Sequence, residues 1–375
     1  MERASVVLIF FPVGIIISFF VNGASLSVLH QCTLVCLVII LAIFLKDEVH
    51  NFECGVKFLI FSGLISTISL LLQFFFENTF NSIYFAFLKP DALSVAENYL
   101  SKGYYFGFNY RPHIAAGSIC FALAAIFFRF FCMRKKMKKR HIILMLCLFF
   151  ALILTQKKGI LLVTILTLTL VLILVYASKR QWTRALKIIG VVVCIGVVLY
   201  MYILAHPDNV MFYRITQFVS NFLAGEEFDS GRNRLYAYAI SLFLENPILG
   251  IGWRQFAQLT VSDFNYITAH QVNFDYLQFL CEMGIVGFLL FLIPIITMLC
   301  RSIKLCRNFA KLKISSSNQW LIFFATYVQF FMVAYAFIEV PFYDIMYFSI
   351  YIYSCVIINN GWRMLRAIHS TEITQ

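Results

Sequence analysis

Charged residues are scarce, at 13% of 375 positions, where a soluble domain carries roughly 25%. With 61% hydrophobic residues, no aqueous fold could hide the apolar surface. Alternating polar and apolar segments of about ten residues, the pattern of a membrane β-barrel, are missing. The apolar runs are instead apolar on all sides and often about 18 residues or longer, enough for a helix to cross a bilayer core. None of the eleven cysteines forms a CxxC pair, which argues against a disulfide framework or structural zinc. There is no GxxxxGK[ST], no HExxH and no GxSxG elbow. DxD, the short acidic motif with which many nucleotide-sugar enzymes hold a divalent cation, is also missing. The sequence favours no metal and no nucleotide. The first apolar run, near 5–21, lacks an A-x-A-like exit and is followed closely by another, so it reads as a retained helix rather than a cleaved signal.

What is present is an all-α integral membrane pattern with about ten transmembrane helices. They fall near 5–21, 25–45, 56–76, 113–132, 141–156, 159–178, 188–205, 284–300, 320–338 and 343–359. Residues 1–205 then hold seven spans and an outer loop at 77–112. Residues 206–283 form a large extracytoplasmic loop, and 284–375 carry three spans and a cytoplasmic tail. The basic turn Arg134 to Arg140 sets the orientation, because cytoplasmic loops are enriched in Lys and Arg. Both termini fall inside, with 21 Lys/Arg and five Asp/Glu there against nine and 13 outside. Topology and anionic inner-leaflet lipid thus explain the net charge of +12, with no need for nucleic acid.

The loop 206–283 is expected to be ordered. Leu235, Ile240, Leu242, Phe243 and Leu244 give a helical pattern that stops at Pro247. Gly250 and Gly252 follow as a turn, and a second amphipathic stretch near 270–283 runs into the next span. Amphipathic helices at the interface suit a protein that handles a lipid-linked substrate.

Nine basic residues lie outside, against the topological bias: Lys89, Lys102, Arg111, Lys157, Lys158, Arg214, Arg232, Arg234 and Arg254. Guanidinium groups pair with phosphate oxygens through a planar fork, and lysine adds a point charge. A pyrophosphate cradle at the outer surface is the functional reading for Arg232 and Lys158, then for Arg234, Arg214 and Arg111. Snorkelling to headgroups, or pairing with nearby acidic residues, is the plainer one, and Lys89, Lys102 and Arg254 are left with it. His113, His206 and His270 also fall outside or at its edge. His270 precedes the second amphipathic stretch, where an imidazole could take a proton from a sugar hydroxyl.

Four pieces carry a resemblance. They are Ser230-Gly231-Arg232-Asn233-Arg234-Leu235-Tyr236, Glu245-Asn246-Pro247-Ile248-Leu249-Gly250-Ile251-Gly252, Asp275-Tyr276-Leu277-Gln278 and Glu282-Met283-Gly284-Ile285-Val286-Gly287. In this order the chain resembles the O-antigen ligase/polymerase family. Upstream, Thr155-Gln156-Lys157-Lys158-Gly159 looks like the family's Ser-Arg-Gly at a span start. Gly107 through Ala115, with Arg111-Pro112-His113, looks like its Gly-x-x-x-Pro-Asn segment. The resemblance implies glycosyl transfer from an undecaprenyl (polyprenyl) diphosphate-linked glycan, with inversion and with neither metal nor nucleotide. By position Arg232 and Lys158 take the diphosphate role, although lysine stands where arginine is usual. A loop histidine would activate the acceptor hydroxyl. Counting back from Gly284, however, the family's His-Asn falls on Asn273-Phe274, and His270 lies three residues earlier. Either His270 serves with a short shift or the base is elsewhere; Asn273 could orient a sugar but cannot act as a base.

The implied partners are the lipid-linked donor, a lipid-linked or lipid A-core acceptor, membrane lipid and a chain-length regulator. Two jobs stay open within the family, polymerase and ligase, and the displaced histidine tilts the reading to polymerase. A lipid-linked sugar transporter or flippase is the rival from another class. Few ionisable residues sit mid-span and no internal repeat is visible, which weighs against it.

Overall fold

The computed structural model describes residues 7–22, 29, 33–40, 45, 47–133, 139–190, 194, 201, 232–264, 271–312 and 316–373. Among these the regular structure is helical and no strand occurs. Four described helices, 49–75, 112–132, 158–178 and 275–311, are long and apolar enough to cross a membrane. They fall on the spans expected near 56–76, 113–132, 159–178 and 284–300. The spans expected near 141–156, 320–338 and 343–359 are helical but are not among these four. About half of the span near 25–45 and most of that near 188–205 lie outside the described residues.

The chain divides into two compact units. One comprises residues 49–228 and 306–327. Its described helices are α2 (Glu53–Phe75), α3 (Glu77–Phe85), α4 (Pro90–Ser101), α5 (Pro112–Met133), α6 (Lys139–Leu154) and α7 (Lys158–Ser178). α2 and α5 approach closely because Gly63 has no side chain: a Cβ there would lie 2.6 Å from the Ser118 carbonyl oxygen and 2.3 Å from the Ala122 Cβ. Such small-residue contacts replace the hydrophobic drive that a bilayer removes. α7 buries Ile160, Val163, Thr164, Thr167, Val171 and Val175 at spacings of one helical face. The segment 77–112, expected as an outer loop, contains α3 and α4. Gln73 ties it down, since its Oε1 accepts from the Phe106 and Gly107 N–H groups at 2.9 and 2.8 Å. Its Nε2 donates to Asn81 at 3.0 Å.

The other unit comprises residues 1–48, 229–305 and 328–375. Its described helices are α1 (Phe10–Asn22), α8 (Arg232–Glu245), α9 (Gln255–Phe264), most of α10 (Asp275–Lys311), the end of α11 (Ser316–Tyr335) and α12 (Ile345–Ile373). α1 packs through Gly14 against Met283 and Leu290, and through Phe11 against Phe291 and Phe348. α8 and the start of α10 match the two stretches expected in the large loop. α9 was not expected. Its short apolar pattern follows Gly250 and Gly252, which read locally as turn. α8, α9 and the start of α10 enclose a small core of Leu235, Ala239, Phe256, Val272 and Cys281. α10 is interrupted at Gly284, whose φ of 62° and ψ of −169° are not helical.

Candidate functional site

Two glycine-containing segments far apart in sequence clasp each other. Ile251 and Gly252 donate their N–H groups to the carbonyls of Cys281 and Glu282 at 3.1 and 2.8 Å. Ile285 and Val286 donate to Pro247 and Ile248 at 2.9 and 3.2 Å. A Cβ on Gly250 would lie 2.4 Å from the Glu282 carbonyl carbon, and one on Gly284 would lie 2.3 Å from the Ile248 oxygen. Both glycines also have positive φ, which side chains oppose. The Pro-x-x-Gly-x-Gly and Glu-x-Gly-x-x-Gly motifs therefore act on each other's backbone and build the scaffold around the site.

Glu282 is completely buried in this clasp. Its Oε2 accepts from the Tyr343 hydroxyl at 2.6 Å and the Arg254 N–H at 2.7 Å. Its Oε1 accepts from the Phe256 N–H and Gln278 Nε2 at 3.2 and 3.3 Å. The carboxylate thus satisfies donors at the start of α9, and it sits where a helix N-terminus attracts negative charge.

The loop 336–344 organises the rest. Asp275, fully buried, donates its N–H to the Ala336 carbonyl and accepts from the Phe342 N–H through Oδ2, both at 2.9 Å. Its Oδ1 has no hydrogen-bond partner among the described residues. Arg232, the first residue of α8, donates from Nη1 to the Ile338 carbonyl at 3.3 Å and lies 3.6 Å from the Glu339 carboxylate. A guanidinium has five N–H donors, so these two contacts leave donors for an anion. Arg234 is exposed on the same helix. Asn273 is half-buried in a bend ahead of α10, with φ of 57°. Arg254 also reaches this loop, donating from Nη2 to the Tyr343 carbonyl at 2.5 Å. The Tyr238 hydroxyl bonds the Asp263 carboxylate across α8 and α9, and that bond holds the Asp263 carboxyl below its ordinary range.

Lys158 and Arg111 belong to the other unit. Lys158 begins α7 and is half-buried, its N–H bonded to the Gln156 carbonyl at 3.1 Å. The neighbouring Lys157 ammonium stands 5.9 and 5.6 Å from the Tyr99 and Tyr104 ring centres. Arg111 is exposed, its guanidinium 5.3 Å from the Tyr110 ring centre. Arg232, Arg234 and Asn273 thus share a unit, and Lys158 and Arg111 share the other. Arg214 and His270 lie outside the described residues.

Glu282, Asp275, Glu339, Tyr343 and Arg254 were not selected by sequence reasoning as site groups. A faint signal existed: acidic residues at the start and end of apolar spans are costly to bury unless something there binds them.

The helices long and apolar enough to cross a membrane, and the excess of apolar sequence around them, define a multi-pass α-helical membrane protein. Residues 143–292 match the family described as O-Antigen ligase. This match supports the resemblance to the O-antigen ligase/polymerase family; it runs from within α6 into α10 and includes Lys158, Arg232, Arg254 and Glu282. No curated protein matches the chain.

Proposed function

We propose that the chain is a metal-independent, inverting glycosyltransferase that moves a polyprenyl diphosphate-linked glycan onto a second lipid-linked repeat unit, making it a polysaccharide polymerase. The observation that carries this reading is Arg232, held at the first turn of the loop helix by Ile338 and Glu339 with donors to spare. An acceptor hydroxyl attacks the anomeric carbon as the bond to the diphosphate oxygen breaks, and the electron pair leaves with the diphosphate. Arg232 and Lys158 neutralise that charge where it develops, the kind of electrostatic support that lowers such barriers most. Arg234, Arg214 and Arg111 extend the cradle, and Asn273 orients a sugar. His270 takes the acceptor proton. The reaction runs on the outer face of a ten-span protein in the cytoplasmic (inner) membrane, with both termini inside. A chain-length regulator would be a partner of the polymerase.

The alternative is a ligase that passes the finished glycan to lipid A-core or protein, and the family match is compatible with both. A deletion strain separates the two on a gel that resolves chain length. Single repeat units on lipid A-core mean polymerase; long chains stranded on polyprenyl diphosphate mean ligase. Arg232→Ala is expected to abolish product while the protein still inserts, and normal product from that variant would sink the diphosphate assignment. His270→Ala failing to restore the missing step would support His270 as the base.

A further inference from the structure

Arg254 was left by its sequence context among the residues that merely meet lipid headgroups. The structure gives it a different setting. It follows Gly252 and Trp253 with φ of 62°, a left-handed conformation that a residue with a side chain adopts only at a cost. That conformation is fixed from both ends. The Arg254 N–H donates to Glu282 Oε2 at 2.7 Å, and Nη2 donates to the Tyr343 carbonyl at 2.5 Å. The guanidinium carbon stands 5.7 Å from the centre of the Tyr343 ring, which Trp253 stacks at 4.4 Å. Such preparation aims a side chain rather than letting it wander.

The Glu282 carboxylate acts on the Arg254 guanidinium through space but forms no ion pair with it. Among the described residues no carboxylate comes within ion-pair distance of the Arg254 guanidinium, whereas Arg232 has Glu339 and Arg129 has Glu53. Both Glu282 oxygens are occupied by the Tyr343 hydroxyl, two backbone N–H groups and the Gln278 amide. Arg254 Nε is buried and has no hydrogen-bond partner among the described residues. A half-buried cation with an unused buried donor is unfavourable unless an anion completes it. Arg254 and Arg232 also bond carbonyls of the same short loop, those of Tyr343 and Ile338. Chain length alone keeps those carbonyls within about 18 Å.

We infer that Arg254 is a further phosphate-binding arginine, donating to an oxygen of the lipid-linked diphosphate. This rests on the glycosyl-transfer reading above, but it is tested by binding and not by turnover. The full-length protein is reconstituted in nanodiscs of phosphatidylcholine and titrated with undecaprenyl diphosphate. Arg254→Gln is expected to weaken binding about tenfold or more, as loss of a charge-assisted bond requires. Arg254→Lys, which keeps the charge and loses the fork, should fall between and guards against a folding defect in the first variant. The same titration with phosphatidylglycerol in the nanodiscs should leave wild-type affinity unchanged. Arg254→Gln binding within about twofold of wild type would overturn the assignment. So would phosphatidylglycerol lowering the wild type to the level of that variant, because Arg254 would then be a headgroup site. A wild type that binds no undecaprenyl diphosphate at all would sink the activity reading itself.

Discussion

The Tyr343 hydroxyl donates to Glu282 Oε2 at 2.6 Å, joining residues 61 positions apart. The same oxygen receives the Arg254 N–H, so one carboxylate holds the loop after α11, the start of α9 and the strained Arg254 backbone together. Glu282→Ala would strand these buried donors, each costing about 1–3 kcal/mol when unsatisfied. A loss of about 3–5 kcal/mol is expected, read as a sharp fall in unfolding midpoint in detergent. Glu282→Gln keeps one acceptor oxygen and should cost less than half as much.

The clasp between Gly250 and Gly284 gives a second test. Alanine at either position meets backbone within 2.5 Å and needs positive φ. Each change should destabilise by about 2–4 kcal/mol and reduce the amount of protein in the membrane. Gly103→Ala is the control: its φ is +75° but nothing lies within 4 Å, so only the conformational cost of about 1–2 kcal/mol applies.

Glu339 separates structural from functional roles at Arg232. The pair is 3.6 Å apart and about a third to a quarter exposed, so its contribution to stability is about 0–1 kcal/mol. Glu339→Gln should leave the melting temperature nearly unchanged, while freeing Arg232 to misorient and lowering product several-fold. A variant with unaltered product would show that Glu339 does not position Arg232.

Gln73 anchors the segment 77–112 within its own unit. Gln73→Ala removes the acceptor for the Phe106 and Gly107 N–H groups, at a cost of about 2–3 kcal/mol. Amide exchange in residues 104–110 should rise well above that in α5.

The bond between Tyr238 and Asp263 adds a pH signature. Because it depresses the Asp263 pKa, its stabilisation is complete above the ordinary aspartate value of about 3.9. It fades as pH falls through the lower folded value. Tyr238→Phe should therefore lower the melting temperature at neutral pH, with the gap closing in acid.

Helix type and position were legible because apolarity and period are local. α2, α5, α7 and α8 fall close to where their own residues predict them, and the run of motifs through Gly287 marked the family segment later matched at 143–292. α9 was missed because Gly250 and Gly252 read as turn, and nothing local says that Phe256 finds a core with Leu235 and Val272. Arg254 was dismissed for the same reason: its meaning depends on Tyr343, 89 positions away, and on a glutamate whose oxygens are already taken. The sequence by itself determined an α-helical membrane chain, since transfer free energy and helical period are properties of neighbouring residues. Only the tertiary structure decided which of the described arginines has an ion-pair partner, because ion pairing depends on distance through space, and the contacts that set it join segments separated by tens of residues.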